Sequence, residues 1–402
     1  MTFDPSFVSL YARRAHLVPS TPEEPEPGEQ VIDFTLGHPD PRFFPVKNLQ
    51  AAIATVLATS ASDALQYSNF RGSKALLEVL VPRLAQQLNT HLDFQNLIIT
   101  NGSMQVLGLM AQVFIDPGDR VLTEAPTYFR AVTIFRNYEA EIDDIPIDQF
   151  GLRLELLENT LRRRAQSGRT PKFLYTIPTH QNPSGTTLTL ERRQKLLELS
   201  SRYGFMILED TAYNELWYDE KPPPSLFELD AGVGRVIQMG TFSKIIAPGL
   251  AVGWALGPEP VITRFVEFKV NGGTTPLTSH IAAAFLVDEL FEQHVASLRL
   301  IYKEKRDAMI EALEEYMQGF VTWYRPGGGY FVWLQLRDDV NLDVLWENAV
   351  SEGVIYLPGR FCFANAQNQC SMIRLAFSAL SPEDIREGVR RLSIAVQRSY
   401  EG

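Results

Sequence analysis

A single lysine, Lys244, lies in the segment QMGTFSKIIAPGLAVGW, between hydroxyl residues and an apolar run broken by glycine and proline. The preceding residues, GRVIQMG, are typical of a buried strand, so the amine is expected at the end of a core strand. Apolar, cation-bearing surroundings lower the pKa of a lysine, and the neutral amine is both a nucleophile and a base. Lys244 is therefore predicted to form a Schiff base with an aldehyde.

Polar residues also follow the neighbouring apolar strands. Asn182 comes after FLYTIP, Asp210 and Tyr213 come after FMIL, and Tyr128 comes after VLTEAP. Ligands of open α/β sheets bind outside the carboxyl ends of the strands, so these residues are expected to share one site. A carboxylate holds a pyridinium N–H, an amide and a phenol donate to a ring oxygen, and an aromatic side chain stacks on a ring face. The set therefore fits an aromatic ring that carries the aldehyde.

A second group of residues fits a phosphate on the same ligand. Gly102, Ser103 and Met104 follow the strand LIIT and open a helix, whose free N–H groups bind anions. The hydroxyls of Thr241 and Ser243, just before Lys244, add further donors. The residue types together indicate an aromatic phosphate ester bearing an aldehyde.

The elements that must position these residues follow an alternating pattern. From about residue 96 onward, short apolar runs alternate with helical periodicity, which predicts an α/β fold with a mostly parallel, doubly wound sheet covered by helices on both faces. Residues 279–317 are expected to form one long helix leading out of the sheet. Beyond it, FVTWYRPGGGYFVWLQL and SMIRLAFS predict antiparallel strands of a smaller α+β domain, and Ser381 is expected to cap the closing helix.

Length and composition bound the organisation. The 402 residues suffice for two or three domains, and we expect an N-terminal arm at 1–45, a large domain at 46–285 and a small domain at 286–402, with a proline- and acid-rich linker at 19–29. The net charge of -11 argues against a nucleic-acid partner. Neither a signal peptide nor a membrane span is recognisable, and Cys362 and Cys370 suggest no disulfide framework, so a cytoplasmic location is expected. No metal is expected.

Nine segments occur in the order typical of one enzyme family, and the region that they span is about nine-tenths of the chain. They are DFTLGHPDPRFFP, QYSNFRGSKALLEVL, TNGSMQVLGL, EAPTYFRA, IPTHQNPSGTT, ILEDTAYNEL, GTFSKIIAPGLAVGW, PGGGYFVW and IRLAFS. The chain resembles the fold-type I pyridoxal-phosphate enzymes of the class I/II aminotransferase family. Its pattern is nearest to the branch that holds 2-aminoadipate, kynurenine and aromatic aminotransferases. The resemblance implies a PLP-dependent transferase fold, pyridoxal 5'-phosphate as cofactor, and amino-group transfer between an amino acid and a 2-oxo acid.

The resemblance also implies further roles. Arg374, in IRLAFS, matches the arginine that binds the substrate α-carboxylate, beside Gly37 and Asn182. Tyr67 matches a tyrosine that reaches the cofactor phosphate of the other subunit, which implies a homodimer with shared active sites. Lys244 would move the proton between the substrate Cα and the cofactor, with Asp210 and Tyr213 supporting the ring.

One position departs from the family pattern. The family writes an arginine seven residues after the Schiff-base lysine, where it contacts the cofactor phosphate, and this chain has Ala251 there. In one interpretation another donor compensates and the chemistry is unchanged. In the other, the cofactor is held differently because the enzyme performs other pyridoxal chemistry, such as cyclisation, elimination or oxidative deamination in a specialised pathway.

Some readings stay open at this point. A regulator whose effector half resembles an aminotransferase is an alternative class, disfavoured by the short arm before IDFTLGHPDP. His180 is either a contact near the ring or a loop residue. His16 and His38 flank the expected substrate entrance, where a structural role is also open.

Overall fold

The structure is a computed structural model that describes residues 5–16, 31–270, 273–287, 290–365 and 371–401. The expected linker at 19–29 and Cys370 lie outside these residues. None of the helices within the described ranges is both long and apolar enough to span a lipid bilayer.

The described part of the chain alternates strands and helices. Its strands are β1 Ile32–Asp33, β2 Leu97–Asn101, β3 Arg120–Ala125, β4 Glu141–Asp148, β5 Gly151–Leu152, β6 Phe173–Thr176, β7 Met206–Asp210, β8 Val236–Thr241, β9 Val252–Leu256, β10 Val321–Trp323, β11 Phe331–Leu336, β12 Val354–Ile355, β13 Leu357–Pro358 and β14 Met372–Ala376. Its α-helices are α1 Val46–Thr59, α2 Ala61–Ala64, α3 Lys74–Gln87, α4 Gly102–Phe114, α5 Phe129–Asn137, α6 Leu154–Gln166, α7 Leu190–Tyr203, α8 Leu226–Asp230, α9 Glu259–Phe268, α10 Pro276–Leu286, α11 Leu290–Tyr316, α12 Leu342–Ser351 and α13 Pro382–Glu401. Short 3-10 helices lie at Pro5–Leu10, Arg13–His16, Pro41–Phe43, Phe94–Asn96, Pro248–Leu250 and Gly359–Cys362.

The large sheet has the strand order β2-β9-β8-β7-β6-β3-β4-β5. Its centre, from β4 through β3, β6 and β7 to β8, is parallel, as expected from the nearly continuous apolar runs. Strand β9 was not predicted, and it runs antiparallel between β2 and β8. The parallel strands end at one edge of the sheet, where Asp210 is the last residue of β7 and Thr241 is the last residue of the neighbouring strand β8.

Helices cover both faces of this sheet. On one face, α4, α5 and α9 bury an apolar cluster that includes Leu107, Phe135 and Phe265. On the other face, α6 and α7 bury a cluster that includes Leu157 and Leu196. The α/β class with a doubly covered, mostly parallel sheet is therefore confirmed.

The expected single helix over 279–317 is wrong. Helix α10 ends at Leu286 and α11 begins at Leu290. The two helices have different packing partners, since α10 packs on α1 and α3 whereas α11 packs on α13. One continuous helix over this span would not serve both sets of contacts, and the apolar periodicity of the sequence continues through the break.

A smaller antiparallel sheet with the order β10-β11-β14-β13 follows in the C-terminal part. Helices α11, α12 and α13 pack together beside it, and Ser381 Oγ accepts the N–H of Asp384 at 3.1 Å, so the expected cap of α13 is present. Strand β1, from the N-terminal segment, pairs in parallel with β12. These contacts support an N-terminal arm that joins the small domain, and the boundaries at 45 and 285 remain a prediction.

Candidate active site

Lys244 lies in the turn after β8, at the carboxyl edge of the large sheet. Its Nζ donates to the Gly37 carbonyl oxygen at 2.9 Å, and its own carbonyl accepts the Tyr330 hydroxyl at 2.8 Å. Burial and the neighbouring charge of Arg374 lower the pKa of Lys244 to about 8. A lysine with this pKa has a neutral fraction near pH 7, so its amine is available as a base and a nucleophile.

Asp210 ends β7 and is 6% exposed. One carboxylate oxygen accepts the Tyr175 hydroxyl at 2.8 Å, and the other accepts the Ala212 N–H at 3.1 Å. Burial raises the pKa of Asp210 to about 6, although these hydrogen bonds and the nearby charge of Lys244 act in the opposite direction. A buried carboxylate of this kind gains from a cationic partner.

Arg374, on β14, brings the small sheet to the same place. Its guanidinium donates to Asn182 Oδ1 at 2.9 Å and to the Thr35 carbonyl, and it lies 4.4 Å from the centroid of the Phe331 ring. Arg374 is 4% exposed, and burial lowers its pKa. The guanidinium is thus fixed between the N-terminal segment and the Asn182 loop.

A buried glutamate, Glu124, holds the loop that contains Asn182. Gln181 Nε2 donates to Glu124 Oε2 at 3.0 Å, and Gln181 Oε1 accepts the Ser184 N–H at 2.8 Å. Burial raises the pKa of Glu124. Asn182 also acts to lower the pKa of the Tyr213 hydroxyl. The loop therefore presents the amide between Arg374 and the phenol of Tyr213.

The aromatic residues of the site surround the same space. Tyr213 makes edge contacts with Tyr330 and Phe331, at centroid distances of 5.5 and 5.7 Å. Burial raises the pKa of Tyr213, so its hydroxyl stays protonated. Tyr128, at the start of α5, is half-buried, and the charges of Asp210 and Arg374 both act on its pKa, so the ring lies near both groups.

The start of α4 forms the opposite end of the site. The Gly102 N–H donates to the Ala251 carbonyl at 2.7 Å, which leaves the following N–H groups of the first turn, from Ser103 and Met104, at the helix end. Thr241 Oγ1 donates to Ser243 Oγ at 2.9 Å. The first residues of β9 lie between these two groups. On one side β9 pairs with β2, which leads into α4, and on the other side it pairs with β8, which ends at Thr241.

A glycine lets β9 approach this helix. A Cβ on Gly253 would lie 2.6 Å from the Gly102 carbonyl carbon and 2.7 Å from the Ser103 nitrogen. Ala251, where the family pattern has arginine, is exposed with a φ of +50°. The exposed alanine methyl adds no charge to this end of the site.

Some of the residues considered above lie outside this cluster in the single chain. Tyr67 is 90% exposed and lies on the surface of the single chain. His180 is buried, and its ring packs on the backbone at Gly328, where a Cβ would lie 2.4 Å from Nε2. Burial lowers the pKa of His180 to about 3. His38 is exposed, and His16 ends a short 3-10 helix, its side chain being outside the described part.

Three residues of the site were missed by the sequence reasoning. Tyr175 binds Asp210, Tyr330 binds the Lys244 carbonyl, and Phe331 packs on Arg374. Tyr330 and Phe331 lie in the segment PGGGYFVW, which was noted without roles for individual residues. Tyr175 carries no local signal, since its side chain meets Asp210 only after β6 and β7 pair.

Comparison with known proteins identifies the family in which this arrangement of residues occurs. Residues 30–392 match the family described as "Aminotransferase class I and II". The chain belongs to this family. Aromatic-amino-acid aminotransferase 1 of Thermococcus litoralis is 39% identical over 370 residues, which cover 91% of this chain and 88% of that protein. A multiple substrate aminotransferase of Thermococcus profundus superposes with a TM-score of 0.93 at 36% identity, covering 98% of this chain and 99% of that one.

A further structure bears on the cofactor. LysN, an alpha-aminoadipate aminotransferase of Thermus thermophilus, was crystallised with N-(5'-phosphopyridoxyl)-L-leucine, and it superposes with a TM-score of 0.90 at 33% identity, covering 98% of this chain and 99% of that one. The present aminotransferase uses pyridoxal phosphate and acts on amino acids and 2-oxo acids. The residues fit this cofactor, because a buried carboxylate and a buried amine of low pKa lie at adjacent strand ends beside a helix start. Other pyridoxal chemistry is not favoured.

Proposed function

We propose that Lys244 is the residue to which the cofactor is attached and the base that moves the proton at the substrate Cα. The carrying observation is the pairing of Lys244 with Asp210. Their strands β7 and β8 are neighbours, and each side chain's charge acts on the pKa of the other. With a pKa of about 8, the Lys244 amine accepts and returns a proton near neutral pH without a large change in free energy.

When bound, pyridoxal phosphate supplies an aldehyde for attachment and a ring that withdraws electrons from the substrate Cα. Asp210 is proposed to bind the protonated ring nitrogen, since a cation there would relieve the cost of a buried carboxylate. Asn182 and Tyr213 are proposed to donate to the ring oxygen. Tyr128 is proposed to lie on the ring face, which its position near both Asp210 and Arg374 supports.

The phosphate is proposed to bind at the start of α4. The N–H groups of Gly102, Ser103 and Met104 belong to the first turn, of which the N–H of Gly102 is already bonded to Ala251. Thr241 and Ser243 are proposed as further donors. Neutral donors at a helix terminus are sufficient for anion binding because the helix dipole adds to them.

The substrate α-carboxylate is proposed to bind Arg374, beside Gly37 and Asn182. A buried guanidinium with a lowered pKa gains most from an anionic partner. Its contacts with Asn182 and Thr35 orient the fork before substrate arrives. For the side chain, the named relatives support aromatic amino acids or 2-aminoadipate as donors.

A homodimer with shared active sites is also proposed. The Tyr67 side chain is 90% exposed in the single chain. It lies with Leu65, Phe70 and Val270, which are also exposed, on an apolar surface that we name the Tyr67 patch. Lys269, next to Val270, donates to the Phe70 carbonyl at 2.9 Å, so the two segments are adjacent. A cytoplasmic location remains a prediction for cell fractionation.

The decisive experiment is borohydride reduction of the purified protein loaded with pyridoxal phosphate, followed by peptide mass spectrometry. The proposal expects one modified residue, Lys244, and loss of the absorbance band in Lys244→Ala. A panel of amino donors, followed at the cofactor absorption bands, should convert the cofactor to its aminated form in one turnover. A modified lysine elsewhere, with Lys244 unmodified, would refute the assignment.

A further inference from the structure

The free amine of Lys244 has a backbone acceptor from a distant part of the chain. Its Nζ donates to the Gly37 carbonyl at 2.9 Å, although 207 positions separate the two residues. A Cβ on Gly37 would lie 2.6 Å from Cζ of Phe331, so the segment lies directly on that ring. The position of the carbonyl therefore depends both on the segment before Gly37, where the Thr35 carbonyl accepts from Arg374, and on the segment that follows Gly37.

A buried ion pair fixes that segment. Asp40 is 1% exposed and Lys305, on α11, is 2% exposed, and their charged atoms lie 2.6 Å apart. Lys305 Nζ also donates to the Ser378 carbonyl at 2.6 Å, and the Ser378 hydroxyl donates to the His38 carbonyl at 2.6 Å. The Asp40 N–H donates to the hydroxyl of Tyr302, one turn before Lys305 on α11, at 3.2 Å.

The same helix also supports the other end of the lysine. The ring of Tyr302 lies 4.8 Å from the ring of Tyr330, whose hydroxyl donates to the Lys244 carbonyl. Residues 302 and 305 are one turn apart and face the same side of α11. One face of α11 therefore contacts both Tyr330, which binds the Lys244 backbone carbonyl, and Asp40, in the segment whose Gly37 carbonyl binds the Lys244 amine.

A buried ion pair is weak grounds for stability alone, because desolvation of both charges opposes their attraction. Here both charged groups have further hydrogen-bond partners, since Lys305 Nζ also donates to the Ser378 carbonyl. Arg42 donates to both oxygens of Asp40, and the hydrogen bonds of Arg42 and Lys305 lower the pKa of Asp40 although burial acts to raise it. The Asp40 carboxylate thus stays charged, and the consequence of the pair is a fixed geometry for the segment between Gly37 and Asp40.

We propose that the Asp40–Lys305 ion pair positions the Gly37 carbonyl and, through that carbonyl, raises the proton affinity of the Lys244 amine. Both residues are positioning residues, and the proposal rests on the proposed role of Lys244. The other charged groups that act on this amine are Arg374 from β14 and Asp210 from β7. Those near the ion pair are Arg42 and, on α11, Glu304.

The sign of the effect follows from the hydrogen bond. The Gly37 carbonyl accepts from the ammonium form, so it favours the charged state of Lys244. Loosening the segment removes that acceptor, and the pKa of the amine should fall below its present value of about 8. A lost hydrogen bond to a charged group corresponds to a shift of roughly one pH unit.

The test compares Asp40→Asn with Asp219→Asn in the full chain freed of cofactor. Asp219 pairs with Arg306, the neighbour of Lys305 on α11. Asp219→Asn therefore removes an ion pair of the same helix, one whose carboxylate is partly exposed and which does not contact Gly37. Each protein is mixed with pyridoxal phosphate and borohydride across a pH series, and labelling of Lys244 is measured by mass spectrometry. We expect the labelling midpoint of Asp40→Asn to fall by roughly one pH unit and that of Asp219→Asn to match the wild type.

A second variant keeps the test decisive if Asp40→Asn does not fold. Lys305→Met leaves Asp40 paired with Arg42 and should give the same downward shift, with a raised KM for the amino acid. Equal labelling midpoints in all variants, with only their unfolding temperatures lowered, would overturn the inference. Absence of Lys244 labelling in the wild type would instead refute the proposed function, so the two failures are distinct.

Discussion

At the scale of single residues, two buried groups of opposite type have pKa values on either side of neutrality. The pKa of Asp210 is raised to about 6 and that of Lys244 is lowered to about 8, in both cases mainly by burial. A proton near neutral pH therefore moves onto or off either group at small free-energy change. Burial, more than any single contact, prepares the site for acid–base chemistry.

Asp210 should lower the stability of the cofactor-free protein. A carboxyl whose pKa is higher in the folded than in the unfolded state binds more protons when folded, so the free energy of unfolding falls as pH rises from about 4 to about 6. Asp210→Asn removes this dependence. We expect the cofactor-free variant to exceed the wild type by roughly 1–3 kcal/mol at about pH 7 and by less at about pH 5. Thermal unfolding at both pH values measures this, and a pH-independent difference would contradict it.

The alanine in place of the family's arginine gives a second prediction. Ala251→Arg should place a cation beside the start of α4 and slow cofactor loss on dialysis roughly ten-fold or more, because a charge-assisted hydrogen bond contributes about 1.5–3 kcal/mol. Ala231→Arg is a matched control, since Ala231 is also exposed with a positive φ, of +46°, and directly follows α8. Equal rates of cofactor loss in both variants would show that position 251 does not reach the phosphate.

How far the site could be predicted also depends on the residue. Asp210 and Asn182 were found because a rule about strand ends applies to any open α/β sheet. The Lys244–Gly37 contact was not, because Gly37 carries no side chain and its carbonyl reaches the site through the fold of another segment. Likewise, the Asp40–Lys305 pair joins residues that are 265 positions apart, and no local sequence pattern predicts it.

At the scale of elements, buried parallel strands were predictable and β9 was not. β8 is buried at every position, and its nearly continuous apolar run identified it. β9 lies in a run broken by Pro248, Gly249 and Gly253, which reads as a loop. Gly253 interrupts the apolar pattern because α4 approaches the strand at that position. The same glycine that makes β9 hard to predict therefore allows the start of α4 to reach the site.

This approach makes Gly253→Ala a test of the phosphate end. The new Cβ would lie within 3 Å of the backbone at Gly102 and Ser103, so α4 must move away. We expect cofactor affinity to fall at least ten-fold and the unfolding free energy to fall by about 1–3 kcal/mol. Gly257→Ala is the control, because its nearest neighbour atom would lie at an ordinary 3.4 Å. Unchanged cofactor affinity in Gly253→Ala would mean that the phosphate lies elsewhere.

At the scale of the whole molecule, the site is assembled from segments far apart in sequence. The N-terminal segment supplies Gly37 and pairs through β1 with β12, the large sheet supplies Lys244 and Asp210, and the small sheet supplies Arg374. A motion of the small sheet would therefore move Arg374 and, through Asp40 and Lys305, the Gly37 carbonyl together. The proposed carboxylate site and the proposed base are thus mechanically linked.

The last prediction concerns assembly. Burying the Tyr67 patch against a second copy would cover Leu65 and Val270, now 67% and 81% exposed, and would carry Tyr67 toward the neighbouring site. Leu65→Asp combined with Val270→Asp should therefore give a monomer in sedimentation at micromolar concentration, because an unpaired buried carboxylate opposes association by several kcal/mol. The monomer should also release its cofactor faster than the wild type. Val233→Asp, at a site 68% exposed, serves as control and should remain dimeric. A wild type that sediments as a monomer and retains its cofactor would contradict the shared site.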